Sequence, residues 1–414
     1  MKVKRVIGLL FSGLWLNFGC TSPTINMTQA DKPYVLLVSI DGYRHDYNQL
    51  HKPKYLTQFA QNAAQVTYFK PSFPSVTFPN HITLVTGLYP AHHGIVANRF
   101  YHQQLQQTYA MNIKQSVTDG RFYQGVPLWS LAGQQGMKSA TYFWPGSEAE
   151  IAGQRPDYWL PYNDDAPNNQ RVEQVLQWLN LPQAQRPQFV TLYFSDVDTA
   201  GHLYGPASDS THQAVTQVDH AIGQLLDGIN ALPYQVNVII TADHGMTNVE
   251  QFPRMYTDKL FDEAPALKDK FSFNNDAAFS LITAIGDNKQ QDLDALALLV
   301  NKVPGLRFYR RDDVPANLHF SDNLSIGDAV LISNQHYITS TDARVGVAGK
   351  HGYDADVISD MNTVLYAKGP AFNQQQIQFA ENIHLYPLIA HILGLTISEP
   401  IDGQLTELAP LLAQ

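Results

Sequence analysis

Continuous apolar runs alternate with helical patterns along this chain, and this alternation constrains its fold more than any other feature. Helical periodicity separates the runs, as in Asn169 to Leu181 and Thr211 to Leu232. Strands look like this when helices cover both faces of a parallel sheet. We therefore predict an α/β fold with a mostly parallel central sheet and helices on both faces, with strands at Tyr34 to Ile40, Phe189 to Phe194, Val236 to Thr241, Ala329 to Ser333 and Thr363 to Ala367.

The main part of the chain contains no clear linker. Its 414 residues, 44% of them hydrophobic, are enough for a large buried core. We expect residues 33–414 to form one domain that carries the chemistry described below. The stretch from about 286 to 323 is less regular and is predicted to be a small insert beside the active face.

The N-terminus has the architecture of a signal peptide. Basic residues at positions 2, 4 and 5 precede an apolar run from Val6 to Phe18, which is too short to span a bilayer comfortably. We predict a signal peptide over residues 1–20 with a bacterial lipoprotein cysteine at Cys20, followed by a tether over 21–32. The alternative is an ordinary signal cleaved near Ala30. Both alternatives predict a location in the cell envelope, in the periplasm or on the outer surface.

Charge and cysteine content exclude some classes of protein. The formal net charge is −10, whereas partners of nucleic-acid polymers carry a basic face. Cys20 is the only cysteine, so no internal disulfide can form. Stability must then come from packing and from any bound metal.

Three of the predicted strands lead directly into carboxylate and imidazole side chains. Ligands of open α/β sheets bind at the carboxyl ends of strands, so residues far apart in sequence can converge there. Taken singly, each candidate has an ordinary explanation as a turn, a helix cap or a hydrogen-bonded histidine. Together they offer the nitrogen and oxygen donors that zinc accepts. The candidates are Asp41, Asp198, His202, Asp243, His244 and His351.

Thr77 is the candidate nucleophile. It precedes Pro79 and an apolar segment that reads as a helix, so its hydroxyl and nearby backbone N–H groups would face an anion at the helix start. The alternative is a capping threonine without chemistry. A hydroxyl is a weak nucleophile at neutral pH, and Thr77 would therefore need a metal to stabilise its alkoxide.

An ordered set of motifs in this chain resembles the nucleotide pyrophosphatase/phosphodiesterase family of the alkaline phosphatase superfamily. The resemblance extends from about Pro33 to Gly403. Its motifs are Asp41-Gly42-Tyr43-Arg44, Thr77-Phe78-Pro79-Asn80-His81, Gly87-Leu88-Tyr89-Pro90 with His93-Gly94-Ile95 and Asn98, Phe143-Trp144-Pro145-Gly146-Ser147, Tyr193 through Asp198 to Gly201-His202-Leu203-Tyr204-Gly205-Pro206, Asp243-His244-Gly245-Met246 and His351-Gly352-Tyr353.

This resemblance implies an alkaline-phosphatase-like fold and two zinc ions. One zinc would be bound by Asp198, His202 and His351, and the other by Asp41, Thr77, Asp243 and His244. It further implies that Thr77 forms a phosphothreonine intermediate and that water then releases a nucleoside monophosphate. Asn98 would donate to a non-bridging phosphate oxygen, and the nucleoside would be held by Phe78 and Tyr193 with Trp144 and Tyr162 nearby.

The identity of the substrate stays open at this point. A nucleotide is the first expectation, and the absence of arginine from the nucleophile motif favours a monoanionic diester over a monoester dianion. The same chemistry could serve glycerophosphocholine or a phospholipid head group, which an anchor at Cys20 would bring within reach. A third possibility is an envelope binding protein that kept the fold and lost the activity. The oligomeric state is not predicted.

Overall fold

The computed structural model describes residues 33–342 and 346–413. The predicted signal peptide, Cys20 and the tether lie outside the described residues. Within the described ranges, no helix combines the length and the apolar character needed to cross a membrane.

Strands and helices alternate through most of the chain. The strands are β1 (Val35–Ile40), β2 (Ala64–Lys70), β3 (Arg99–His102), β4 (Gln107–Ala110), β5 (Ser139–Tyr142), β6 (Tyr158–Leu160), β7 (Phe189–Phe194), β8 (Asn237–Thr241), β9 (Thr247–Asn248), β10 (Arg254–Tyr256), β11 (Phe271–Asp276), β12 (Phe279–Ala284), β13 (Arg307–Arg310), β14 (Ala329–Ile332), β15 (Tyr337–Thr339), β16 (Gly349–Lys350), β17 (Thr363–Lys368) and β18 (Gln376–Glu381).

The helices are α1 (Tyr47–His51), α2 (Lys54–Ala60), α3 (Thr77–Thr86), α4 (Pro90–His93), α5 (Lys114–Val117), α6 (Leu128–Gln134), α7 (Asn168–Leu179), α8 (Asp196–Tyr204), α9 (Asp209–Asn230), α10 (Lys289–Val300), α11 (Leu385–Leu393) and α12 (Leu405–Leu408). The helical patterns at 169–181 and 211–232 correspond to α7 and α9, each shifted by one or two residues.

Eight strands form the central sheet in the order β18-β2-β17-β8-β1-β7-β5-β6. β1 pairs in parallel with β7 and β8, and β5 pairs in parallel with β6 and β7. Only β17 runs against its neighbours β2 and β8. The mostly parallel sheet is therefore confirmed.

Both faces of this sheet are covered by helices, because its central strands are apolar on both sides. Val35 and Leu37 of β1 face a core that contains residues of α3, α6 and α11. Leu36, Val38 and Ile40 point the other way, into a core with α2, α7 and α9. Alternate side chains of a strand face opposite sides of its sheet, so β1 is buried along its whole length.

A second sheet corrects one strand assignment. The run Ala329 to Ser333 forms β14, which belongs to a separate antiparallel sheet of order β11-β12-β14-β13. A short, fully buried apolar run looks the same in either kind of sheet, and so the pattern could not distinguish them. The stretch 286–323 contributes α10 and β13 to this layer. The other strands of the second sheet, β11, β12 and β14, come before or after that stretch in the sequence.

Candidate functional site

β1, β7 and β8 end together at one edge of the central sheet. Ser39 of β1 lies level with Tyr193 of β7 and Thr241 of β8, so the residues that follow the three strands converge. Gly42 occupies the turn after β1 with φ of 70°, and an added Cβ would lie 3.0 Å from the Asp198 Cα. This close approach brings Asp41 and Asp198 together and explains the glycine.

Asp198, His202 and His351 form the first group of possible metal ligands. Asp198 and His202 are four residues apart on α8, with Oδ2 and Nε2 3.4 Å from each other. The Nδ1 atoms of His202 and His351 donate to the carbonyl oxygens of Gly349 and Ser75, at 2.9 and 3.0 Å. A carbonyl only accepts, so both Nε2 atoms carry lone pairs.

These two lone pairs face each other with no proton between them. His202 Nε2 and His351 Nε2 lie 3.1 Å apart. Burial lowers the pKa of both imidazoles, which keeps them neutral. A cation between the two nitrogens resolves this arrangement, as neutral imidazoles do when they bind metals.

Asp41, Asp243 and His244 meet beside Thr77. His244 Nδ1 donates to the carbonyl oxygen of Gly245 at 2.9 Å, which leaves Nε2 to face the carboxylates. That Nε2 lies 3.0 Å from Asp243 Oδ2, 3.5 Å from Asp41 Oδ1 and 3.2 Å from Thr77 Oγ1. Two carboxylate oxygens, an imidazole nitrogen and the Thr77 hydroxyl thus converge on a point where a cation would bind all of them.

Three carboxylate oxygens at this edge are buried without a hydrogen-bond partner among the described residues. They are Oδ1 of Asp41, Oδ1 of Asp198 and Oδ2 of Asp243. Buried polar atoms are normally paired, and a buried unpaired anion is costly. The residues present therefore fit divalent cations.

The electrostatics of the buried carboxylates point the same way. Burial, followed by the charges of Asp243 and Asp198, raises the pKa of Asp41 well above its ordinary value. Burial also acts on Asp243, but the neighbouring His244 and His81 lower its pKa to about 2. Like charges are forced together here, and a divalent cation would relieve their repulsion.

The two groups adjoin. The rings of His244 and His351 stack with centroids 3.6 Å apart and planes 13° apart. Asp198 also groups with Asp41 and His244. The structure thus brings the six predicted donors and Thr77 to one place, which we call the edge cluster: Asp41, Thr77, Asp198, His202, Asp243, His244 and His351.

His81 is a residue of this region that we did not predict as part of the site. It groups geometrically with Asp41 and Asp243, but both of its ring nitrogens are already engaged. Nδ1 donates to the Thr77 carbonyl oxygen at 2.9 Å, and Nε2 accepts from the Ser39 hydroxyl at 2.8 Å. His81 therefore supports the edge cluster from below. Its position four residues after Thr77, on the same face of α3, was the available signal.

Thr77 lies at the first turn of α3, as the sequence suggested. Within the described ranges, no acceptor receives its backbone N–H. Asn98 lies alongside, and its Oδ1 accepts from the Phe78 N–H at 2.9 Å, which orients its amide nitrogen away from that contact. Free N–H groups at a helix start attract anions.

The four predicted aromatic residues differ in exposure. Phe78 is half-buried, and Tyr162 is 47% exposed with its hydroxyl donating to Asp164 Oδ1 at 2.7 Å. Trp144 is only 1% exposed, because its ring packs against His81 and Nε1 donates to the His81 carbonyl oxygen. Its predicted place near a nucleoside stays a prediction.

Tyr193 is also buried, at 6% exposure. Its hydroxyl donates to Asp41 Oδ2 at 2.6 Å. The ring lies edge-on to His81 and 6.4 Å from Tyr162. The structure therefore gives Tyr193 a contact with a candidate metal ligand, which the sequence did not suggest.

Comparison with known proteins places this site in a family. The model of type I phosphodiesterase / nucleotide pyrophosphatase matches residues 35–354. The chain belongs to this family. It is similar to venom phosphodiesterase CdcPDE of Crotalus durissus collilineatus, with 32% identity over 94% of the chain and 48% of that protein. It is also similar to ectonucleotide pyrophosphatase/phosphodiesterase family member 3 of Bos taurus, with 34% identity over 88% of the chain and 42% of that protein.

Solved structures of this family share the fold. Murine ectonucleotide pyrophosphatase/phosphodiesterase 5, an inactive threonine-to-alanine variant in complex with AMP, superposes with a TM-score of 0.85 at 28% identity, over 92% of this chain and 100% of that one. The predicted family and α/β fold are thus confirmed. The chain spans about half the length of the curated relatives it matches.

Proposed function

We propose that the chain is a two-zinc phosphodiesterase that cleaves phosphodiester and pyrophosphate bonds of nucleotides and releases nucleoside monophosphates. One observation carries this proposal: the imidazole nitrogens and carboxylate oxygens of the edge cluster converge next to the Thr77 hydroxyl, and no lysine or arginine of the described residues pairs with them. The nitrogen and oxygen donors of this cluster suit zinc. A non-catalytic binding protein would not need a hydroxyl held in this position.

The chain's own residues suggest how the reaction proceeds. Thr77 Oγ1 attacks phosphorus and loses its proton to solvent, and the ester oxygen opposite leaves with the bonding electron pair. Water then attacks the phosphothreonine, the bond to Thr77 Oγ1 breaks, and the hydroxyl is restored. Two bound cations would supply charge stabilisation for the attacking and leaving oxygens.

Asn98 and the start of α3 are proposed to hold the phosphate during these steps. The Asn98 amide nitrogen and the Thr77 N–H would donate to non-bridging oxygens, whose charge grows in the transition state. A single donor of this type typically lowers the barrier by about 3 kcal/mol.

A nucleoside would bind between two aromatic side chains, the half-buried Phe78 and the exposed Tyr162. Phe78 adjoins Thr77, and Tyr162 presents an exposed ring. Such rings stack on any base, so we expect broad tolerance among nucleotides. The murine relative's complex with AMP supports a nucleoside monophosphate as the product.

The test compares three substrates on zinc-loaded protein. We expect hydrolysis of the nitrophenyl ester of thymidine monophosphate, with much slower turnover of nitrophenyl phosphate and of glycerophosphocholine. Activity should disappear on chelation and return with zinc. Cleavage of glycerophosphocholine without cleavage of the nucleotide ester would replace the nucleotide by a choline-bearing substrate, and no cleavage at all would reject the enzyme.

We also propose that the protein is exported and anchored in the envelope through Cys20. The support is the signal-peptide pattern of residues 1–20. Incorporation of labelled palmitate into the wild type, and its loss in Cys20→Ser, would be expected. If neither form is labelled, the ordinary cleaved signal is favoured.

A further inference from the structure

Tyr193 reaches Asp41 because of strand register. β1 and β7 are parallel with Ser39 opposite Tyr193, and Asp41 follows two residues later on the same side of β1. The Tyr193 ring therefore extends beside the end of β1. Its hydroxyl donates to Asp41 Oδ2 at 2.6 Å, a short contact typical of a donor facing a carboxylate.

This hydrogen bond divides the two oxygens of Asp41. Oδ2 is engaged by Tyr193, while Oδ1 is buried without a partner and lies 3.5 Å from His244 Nε2. The last torsion of an aspartate is soft, so nothing intrinsic to the side chain selects one oxygen. The nearby charges of Asp243 and Asp198 would also push an unrestrained carboxylate away.

We propose that Tyr193 is a positioning residue of the metal centre, whose hydroxyl holds Asp41 so that only Oδ1 faces the cation shared with Asp243 and His244. The inference rests on the proposed function, because it requires metal at the edge cluster. Partners behind a metal ligand orient it, and their loss commonly weakens metal binding by about 10- to 100-fold. The other group, Asp198 with His202 and His351, does not contact this hydroxyl.

The experiment measures zinc binding to the metal-free full-length protein by competition with a chromogenic chelator. Tyr193→Phe keeps the ring and removes the hydroxyl. We expect one of two zinc sites to weaken by about 10- to 100-fold while the second keeps its affinity. Turnover of the nucleotide ester should drop at limiting zinc and recover when zinc is saturating.

Tyr386→Phe is the matched control. The Tyr386 ring is 1% exposed, and its hydroxyl donates to the Val126 carbonyl oxygen at 2.9 Å, apart from the edge cluster. Both variants lose one buried hydrogen bond, but only Tyr193→Phe should change zinc affinity. A double variant, Tyr193→Phe with Asp41→Ala, should bind zinc no more weakly than Asp41→Ala alone.

The outcomes separate this inference from the proposed function. If wild-type protein binds two zinc ions and Tyr193→Phe binds them equally well, the positioning role is wrong and the enzyme stands. Equal weakening by Tyr193→Phe and Tyr386→Phe would also reject it, since a general loss of stability then explains the effect. Wild-type protein that binds no zinc would overturn the proposed function itself.

Discussion

Two polar clusters of this molecule are built on opposite principles. In the Lys70 cluster, formed by Lys70, Tyr89, Asp356 and Glu381, Nζ lies 2.7 Å from Asp356 Oδ1 and 3.4 Å from Glu381 Oε1, and the Tyr89 hydroxyl donates to Glu381. In the edge cluster, no described lysine or arginine pairs with the carboxylates. The first cluster is complete within the protein, whereas the second needs charge from outside.

This difference shows where stability and function reside. A paired cluster near the surface contributes modestly to folding. A buried cluster of unpaired acceptors costs folding free energy until something binds it. The sequence nevertheless contains the edge cluster, which we expect to serve the chemistry at Thr77.

The largest effect is expected at the nucleophile. Thr77→Ala should lower kcat for the nucleotide ester by about 10⁴-fold or more, because it removes the hydroxyl that would form the covalent intermediate. Zinc binding should persist, since the six carboxylate and imidazole donors remain. Steady-state kinetics and metal analysis of the same preparation measure both.

Thr86→Ala provides the control for that change. Thr86 lies nine residues further along α3, and its hydroxyl donates to the Ile82 carbonyl oxygen at 2.7 Å. Its activity should stay close to that of the wild type. Substantial turnover by Thr77→Ala would mean that water attacks directly and that the edge cluster works without a nucleophile.

Neutralising one carboxylate in each cluster should change stability in opposite directions. In metal-free protein, Asp41→Asn should raise the free energy of unfolding by about 1 to 3 kcal/mol, because it removes a buried charge repelled by its neighbours. Asp356→Asn should lower it by less than about 1 kcal/mol, because it breaks an exposed ion pair with Lys70. Urea unfolding with and without chelator measures both.

Zinc should reverse the effect of Asp41→Asn on the free energy of unfolding. With zinc saturating, Asp41→Asn loses a ligand and should be less stabilised than the wild type. Destabilisation by Asp41→Asn in the metal-free state would show that the edge cluster is satisfied within the protein, contrary to the comparison.

The smallest effect concerns a third polar contact, His92 with Asp402. His92 Nδ1 lies 2.7 Å from Asp402 Oδ2. The hydrogen bond to Asp402 raises the pKa of His92. Burial alone would raise the pKa of Asp402, but the same hydrogen bond lowers it. A raised histidine pKa stabilises the fold below about 6.5, and this stabilisation is lost as pH rises through the folded value.

The carboxylate has the opposite dependence. A lowered aspartate pKa stabilises the fold above about 3.9, and this stabilisation is lost as pH falls through the folded value. The pair should therefore contribute most between about pH 4 and 6.5, by less than about 1 kcal/mol, since His92 is exposed. The Tm of the wild type minus that of His92→Gln, measured across pH, should be largest in this window. A difference that does not change with pH would show that this contact does not stabilise the fold.

Four of the eight strands of the central sheet, β1, β7, β8 and β17, could be predicted from the sequence, because burial on both faces leaves a continuous apolar run. β7 matched its predicted bounds, and β1 and β8 each begin one residue later than predicted. Strand direction was less accessible: β17 reads like its parallel neighbours but runs against them, since apolar patterning carries no information on connection geometry. The same ambiguity moved Ala329 to Ser333 into the second sheet.

The convergence at the sheet edge could be predicted from where the strands end. The contacts that support the converging residues could not. Asp41, Asp198 and Asp243 could be grouped because parallel strands end together. Tyr193 and His81 support the edge cluster through register and helix phase, which only the folded chain fixes. The burial of Trp144 could not be predicted either, because aromatic residues in a motif read alike whether they line a cleft or fill the core below it.

Anomalous diffraction at the zinc edge, from crystals of the zinc-loaded protein, would show directly whether the edge cluster binds two metal ions. We expect two peaks about 4 Å apart beside Thr77, one within reach of Asp198, His202 and His351 and the other within reach of Asp41, Asp243 and His244. Zinc bound elsewhere, with the edge cluster showing no peak, would contradict this expectation.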